Sequence, residues 1–260
     1  MEVVIVDDAE AAGVVAAGIV EQLLGSKPES VIGVATGSSP IITYRRLVEA
    51  FDAGRISFAD AHVVLLDEYV GLPVDHPQRY RRFVHAQLAD RVDLLAAHVH
   101  APDVDAVDLA EPGRRYEAVL EGLGGVDVQL LGIGTDGHVG FNEPGSSLRS
   151  RTRIKTLTAA TRADNARFFA DPGAVPRHVM TQGLATIGDA RHLVLIACGA
   201  AKAAPVAAAV EGPLTASCPA SILQWHPHVT VVIDEQAASG LTHSAYYRET
   251  HAGKPSWQRY

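Results

Sequence analysis

Cysteine is nearly absent from this chain: two occur in 260 residues, Cys198 and Cys218. Both lie in mostly apolar or small-residue surroundings without C-x-x-C spacing, which excludes a disulfide framework and argues against a thiolate zinc site. Basic residues are in deficit. Lys and Arg number 22 against 30 Asp and Glu, for a formal charge of −8, so the surface has no general attraction for phosphodiester backbones or anionic lipid. Nucleic acid is therefore not an expected partner, and any phosphate must be gripped locally. No apolar segment reaches membrane-spanning length without a charge. The first residues, MEVVIVDDAEAAG, place acids directly after a short apolar run, where a signal peptide needs a basic start and a longer apolar stretch. The expectation is a soluble, cytoplasmic protein without a membrane partner.

Several motifs are missing as well. Neither G-x-G-x-x-G nor G-x-x-x-x-G-K-[ST] occurs, which removes support for a dinucleotide or ATP site. H-E-x-x-H is absent, and the pairs His98/His100 and His226/His228 read as surface or turn histidines beside Pro102 and Pro227, so no metal site is expected.

What is present is a balanced globular composition, with 47% hydrophobic and 20% charged residues, sufficient for one domain over residues 1–260 with a substantial core. No internal repeat, low-complexity tract or linker divides it. Short runs rich in Val, Ile or Leu, bounded by Gly, Asp or Pro, read as buried parallel strands at 3–6, 31–35, 62–66, 128–133, 193–197 and 229–233. Helical segments are predicted between them at 8–24, 40–54, 77–89, 105–123 and 200–211, with Pro205 marking a first turn or a kink in the last. The alternation predicts an α/β fold: a single-domain, doubly wound, mostly parallel Rossmann-like sheet with helices on both faces. Residues 134–180 interrupt it with a polar, Arg- and Thr-rich insert too long for an ordinary connection; such insertions are usually functional lids or carry short elements of their own, and this one is read as an active-site loop and lid. Residues 237–260 read as a terminal helix with a loose tail.

Ligands in such a sheet collect at the carboxyl ends of the strands, and four of the six strands end in chemistry. After the second comes VATGSSP. Gly37, Ser38 and Ser39 there form either a phosphate-binding turn at a helix N-terminus or an ordinary turn with a serine cap. After the third comes LLDEYVGLP, whose Asp67 and Glu68 are either a solvated turn or a rigidly held general base. After the fourth comes GTDGHVGFNEP. Asp136, His138 and Glu143 cannot share a helix face at that spacing, but a glycine-hinged loop folds them together. Asp136 and Glu143 can fix the tautomer of His138 while its other ring nitrogen works on substrate. After the fifth, CGAAKAAP holds Lys202 at a helix start, where it either snorkels to solvent or is compensated by a bound anion, with Arg167 completing a phosphate clamp.

GTDGHVGFNEP, LLDEYVGLP, SSLRSRTRIKTLT with the following TRADNARFF, and AAVEGPLTASCPASILQWHP together resemble the glucosamine-6-phosphate deaminases, in the same order from about residue 2 to about residue 235. That resemblance implies conversion of glucosamine 6-phosphate and water to fructose 6-phosphate and ammonia. It implies that Asp67 moves a proton from C2 to C1, and that His138, with Asp136 and Glu143, assists ring opening. Gly37, Ser38, Ser39, Arg167 and Lys202 would hold the phosphate. No metal or organic cofactor is implied, since the substrate's own carbonyl or iminium acidifies C2. In some members of the family N-acetylglucosamine 6-phosphate acts as an effector at a subunit interface, on residues like Ser147, Arg153 and Lys155, with Tyr246 or Tyr247 near an effector tyrosine. Homo-oligomers and single subunits both occur in the family. The rival readings are a 6-phosphogluconolactonase of the same fold, which shares G-x-D-G-H but not FNEP or DEYVGL, and a non-catalytic sugar-phosphate sensor, which the intact acid and histidine set disfavours.

Overall fold

The computed structural model describes residues 1–106, 108–109, 111–255, 257–258 and 260. Strand and helix alternate from the start: β1 (Glu2–Val6), α1 (Ala9–Ser26), β2 (Val31–Val34), α2 (Ile41–Asp52), β3 (His62–Leu65), β4 (Asp67–Tyr69) and α3 (Tyr80–Gln87). There follow β5 (Val99–His100), α4 (Glu111–Gly122), β6 (Val128–Leu131), β7 (Arg153–Thr156), α5 (Ala159–Ala166), β8 (His178–Thr181) and α6 (Leu184–Gly188). The chain then forms β9 (His192–Ala197), α7 (Ala203–Val210), β10 (Val229–Asp234), α8 (Glu235–Ala238) and α9 (Ser244–Ala252).

Seven strands make one sheet in the order β1-β10-β9-β6-β2-β3-β5, and every neighbouring pair is parallel. Alternate residues of each strand leave by opposite faces, and the burial follows that period. Val31, Val64, Leu131, Leu193, Leu195 and Val231 enter one core, while Ile32, Val63, Leu130, Val194, Ile196 and Val232 enter the other. Tyr116 and Leu120 of α4, with Val206 and Ala209 of α7, cover the first face. Ala16 and Val20 of α1, Tyr44 and Leu47 of α2 and Val84 of α3 cover the second. With apolar residues facing both ways, strands of this kind read in sequence as continuous Val/Ile/Leu runs. All six predicted strands form, and the doubly wound parallel architecture is the one observed.

The differences from expectation lie at element ends and in the insert. The helix predicted over 105–123 is formed as α4 from Glu111; Val107 and Ala110 of that prediction, like Ser256 and Arg259 of the tail, lie outside the described residues. The predicted helix over 200–211 opens as a 3-10 turn, Ala200–Lys202, before α7, and Pro205 sits in the first turn of α7, where a missing N–H costs no intrahelical bond. Asp67 does not merely end β3: it begins β4, which joins a second, three-stranded antiparallel sheet in the order β4-β8-β7. Residues 134–180 carry β7, α5 and most of β8, short elements of their own in place of an ordinary connection. His98 and His100 are half-buried beside His62, with His62 Nδ1 3.0 Å from His100 Nε2, and His226 pairs through Nε2 with the Ala190 carbonyl at 2.7 Å. His98 and His100 thus pack at the end of the sheet rather than on the surface, whereas His226 and His228 stand in a turn, as expected, with His228 exposed. Among the described residues, no helix is long and apolar enough to cross a membrane.

One acid ties the amino ends of the central strands. Asp127 is 6% exposed and accepts hydrogen bonds from Lys27 Nζ at 2.8 Å, Arg191 Nη1 at 3.1 Å and the Val31 amide at 2.8 Å. Asp127→Ala leaves a buried amide unbonded while the two cations regain water. It should destabilise the fold by about 1–3 kcal/mol, read as a lower urea midpoint at unchanged slope.

Candidate active site

Chain order reverses direction across the sheet between β2 and β6. From β2 the strands run outward through β3 to β5, and from β6 outward through β9 to β10. Connections after neighbouring strands diverge at such a point and leave a crevice at the carboxyl edge. A cleft of about 370 Å³ occupies it, lined by segments that follow β2, β3, β6 and β9 and by α5. Gly37, Ser38, Ser39, Asp67, His138, Arg167 and Lys202 all line it. Asp136 reaches it through His138, whereas Glu143, Ser147, Arg153 and Lys155 are not among its lining residues.

The geometry distinguishes the adjacent acids after β3. Glu68 is 1% exposed, and its carboxylate accepts the amides of Tyr69 at 2.8 Å, Tyr80 at 2.9 Å and Arg81 at 2.9 Å. Arg79, the residue before α3, supplies no side-chain cap, so Glu68 caps that helix from another element. Asp67 faces the cleft. Burial, and then the charge of Glu68, push its carboxyl well above the usual aspartate range. A buried acid of raised basicity with a face to a cleft is suited to accept and return a proton.

The loop after β6 is shaped by close approach. His138 Nδ1 lies 2.6 Å from Asp136 Oδ1, and the His138 amide bonds the same oxygen at 3.1 Å. Burial raises the Asp136 carboxyl, but the hydrogen bonds and charge of His138 outweigh it and hold the group below the aspartate range. With Nδ1 donating to a carboxylate, the neutral ring carries its free lone pair on Nε2. The ring lies over Gly134, where a Cβ would stand 2.2 Å from Cε1. Gly140, at φ +55°, lets the loop turn onto the base: its missing Cβ would lie 3.7 Å from Asp67 Oδ2 and 3.0 Å from Thr181 Oγ1. The histidine and the base are thus brought to one cleft by two glycines.

Glu143 departs from expectation. Its carboxylate does not orient His138; it accepts Thr158 Oγ1 at 3.2 Å and the Thr161 hydroxyl, which anchors the loop to the first turn of α5. The cause is the turn at 142–146, where the Glu143 amide bonds the Phe141 carbonyl and the Ser146 amide the Glu143 carbonyl, carrying the side chain toward Thr158.

The anionic end is built from three elements. Ser38 and Ser39 precede α2, whose N-cap, Pro40, offers no side-chain hydrogen bond, so the serines are not spent as helix caps. Lys202 does not snorkel; its ammonium donates to the Ile133 carbonyl at 2.6 Å. Burial, and then the charge of Arg167, lower its pKa. Arg167, at the end of α5, lies over the Phe168 ring at 4.8 Å. Two cations that repel each other beside hydroxyls and a helix N-terminus fit an oxyanion, although Asp164 shares the wall and bonds Thr135 Oγ1 at 3.3 Å.

Sequence reasoning missed the aromatic wall. Tyr80 and Phe141 stack at 6.1 Å with rings 3° from parallel, and Tyr69 meets Tyr80 at 4.8 Å. Only the aromatic character of these positions was visible in advance, because they come from different elements. Of the residues set apart as regulatory, Arg153 donates to Asn142 Oδ1 at 2.9 Å and Lys155 stands two positions along the same strand. Ser147 is exposed and accepts the Arg149 amide at 3.2 Å. Among the described residues, no three His, Cys, Asp or Glu side chains gather as a metal site.

The dependence of His138 on Gly134 is testable. Gly134→Ala should swing the ring off Asp136, and the downfield Nδ1–H proton resonance of His138 should vanish while the circular dichroism is unchanged. Retention of that resonance would show that the ring pairs with Asp136 without the glycine.

Comparison with known proteins shows the family. The family model for glucosamine-6-phosphate isomerases/6-phosphogluconolactonase matches residues 7–232. A protein of Pseudarthrobacter chlorophenolicus named glucosamine-6-phosphate deaminase is 54% identical over 258 residues, covering 99% of each chain. Among solved structures, a monomeric glucosamine-6-phosphate deaminase is similar with a TM-score of 0.90 at 39% identity, covering 92% of this chain and 100% of that one. A 6-phosphogluconolactonase from Trypanosoma brucei shares the fold, with a TM-score of 0.73 at 19% identity over 93% of this chain and 98% of that one. The chain belongs to the glucosamine-6-phosphate isomerase/6-phosphogluconolactonase family.

Proposed function

We propose that this protein is a glucosamine-6-phosphate deaminase, converting glucosamine 6-phosphate and water to fructose 6-phosphate and ammonia. The observation that carries it is identity of 54% along essentially the whole chain with a protein of that name; the lactonase likeness, at 19% identity, extends to the fold alone.

The residues support a division of labour. His138 Nε2 is free to move a proton between the ring and anomeric oxygens, which opens the pyranose. Asp67 then takes the proton from C2. The electron pair released forms the C1–C2 double bond of an enolamine, and the C1 carbonyl oxygen takes up a proton. The neutral Asp67 returns its proton to C1, leaving an alcohol at C1 and an iminium at C2. Water adds to C2, and the carbinolamine expels ammonia to give the ketone. One residue could hardly serve both ends of this sequence, since each proton transfer requires hydrogen-bond reach. Ser38, Ser39, Lys202 and Arg167 support phosphate binding at the far end of the cleft.

The segment from α5 to Phe169 supports a lid role, because Thr161, Asn165 and Phe169 with Arg167 form one wall of the cleft and closure over the sugar excludes water. An effector site for N-acetylglucosamine 6-phosphate would draw on Arg153 and Lys155. The bond from Arg153 to Asn142 is the route by which such a site would touch the catalytic loop.

Ammonia and fructose 6-phosphate should both appear when the protein is given glucosamine 6-phosphate, and 6-phosphogluconolactone should not be hydrolysed above background; lactone hydrolysis without ammonia would reverse the assignment. Asp67→Asn should bind the sugar phosphate yet stop exchange of its C2 proton in deuterium oxide, and persistent exchange would remove Asp67 from the base role. Lys202→Ala should act mainly on KM, by about tenfold or more for loss of a charge-assisted contact made in ground and transition states alike. An unchanged KM would place the phosphate elsewhere.

A further inference from the structure

Glu68 is absent from the acid–base scheme, yet it is among the most completely enclosed charged side chains of the molecule, at 1% exposure. Its three hydrogen bonds all go to backbone amides, two of them across the chain excursion from 70 to 79. The same excursion is closed from its other end by Arg79, 5% exposed, whose guanidinium donates to the carbonyls of Leu72 at 3.1 Å and Pro73 at 3.2 Å and pairs with Asp105. An anion at the start of the excursion binds the N–H groups at its end, and a cation at its end binds the C=O groups near its start. Asp67 and Tyr80, which line the cleft from β4 and α3, are thereby joined through one side chain.

We propose that Glu68 is a positioning residue for the base: its carboxylate fixes the strand bearing Asp67 to the helix bearing Tyr80, and it sets a buried negative charge on the residue next to Asp67. The role rests on the reading of Asp67 as proton acceptor. A solvated glutamate at this place would leave α3 uncapped and the base with a weak neighbouring field; enclosure makes both effects large.

Other charges near Asp67 do not duplicate the effect. The other titratable side chains coupled to it, Tyr69 on its own strand, Tyr80 on α3 and Tyr116 on α4, are phenols that burial keeps protonated. Its partner across the β4–β8 ladder is the uncharged Thr181, beyond which lies Arg153 on β7. Arg79 acts on Glu68, lowering its raised carboxyl pKa, and His138 enters the cleft from the loop after β6.

The test is a carbon-13 titration of the Asp67 carboxyl in the intact protein, with kcat and KM measured on the same samples. In Glu68→Gln the negative neighbour is gone and one oxygen acceptor becomes a donor facing an amide. The Asp67 midpoint should fall, and kcat should drop about 10- to 100-fold for a displaced base, with KM changed far less. Arg79→Gln, which leaves Glu68 in place but removes its counter-charge, should also shift the midpoint; it decides the matter should Glu68→Gln fail to fold. A midpoint unmoved in the folded variants overturns the proposal. Because the titration needs no substrate, a midpoint that moves while the unsubstituted protein gives no ammonia would leave the influence of Glu68 on Asp67 standing and sink the proposed reaction, whereas ammonia release with an unmoved midpoint would sink the role of Glu68 alone.

Discussion

Seven strands running the same way are the constraint on which the rest of this molecule depends. A parallel sheet must return the chain after every strand, so each carboxyl end opens into a connection on one edge. The reversal between β2 and β6 spreads two of those connections apart. The resulting crevice receives Ser38 and Ser39, Asp67, His138 and Lys202 from four separate returns. The two cores that hold the strands rigid are therefore also what sets distances in the site, because a side chain one or two residues beyond a packed strand has little freedom left.

Three buried acids in and behind that crevice have different environments. Glu68, behind it, is satisfied by three amides, Glu143, also outside the lining, by threonine hydroxyls at the start of α5, and Asp67, which lines it, is left with burial and the charge of Glu68. A carboxylate with full hydrogen bonding is held in place; one without it is ready to take a proton. Asp136 is the complementary case, held ionised by the histidine it orients.

Much of this was legible in the chain itself. The six Val/Ile/Leu runs declare parallel strands because burial on both faces removes alternation, and residues that follow such strands are candidates for a site before any coordinate is known. VATGSSP, LLDEYVGLP, GTDGHVGFNEP and CGAAKAAP were found that way. The second sheet was not, since β7 carries Arg153 and Lys155 and β8 begins with His178, so neither reads as a buried strand. Nor was the fate of Glu143, which follows from backbone bonds in the turn that holds it.

The sequence by itself determined the parallel α/β architecture and the stretches that face the cleft, because hydrophobic period and local motif are properties of neighbouring residues. Only the tertiary structure decided which of Asp67 and Glu68 is a cap and which faces the cleft, which acid pairs with His138, and that Tyr80 and Phe141 form one wall. The first and last of those outcomes depend on contacts between residues 12 and 61 positions apart, Glu68 with Tyr80 and Tyr80 with Phe141, and the second on how one loop sets Asp136 beside His138 while sending Glu143 to Thr158; no local pattern encodes a distance that folding alone creates.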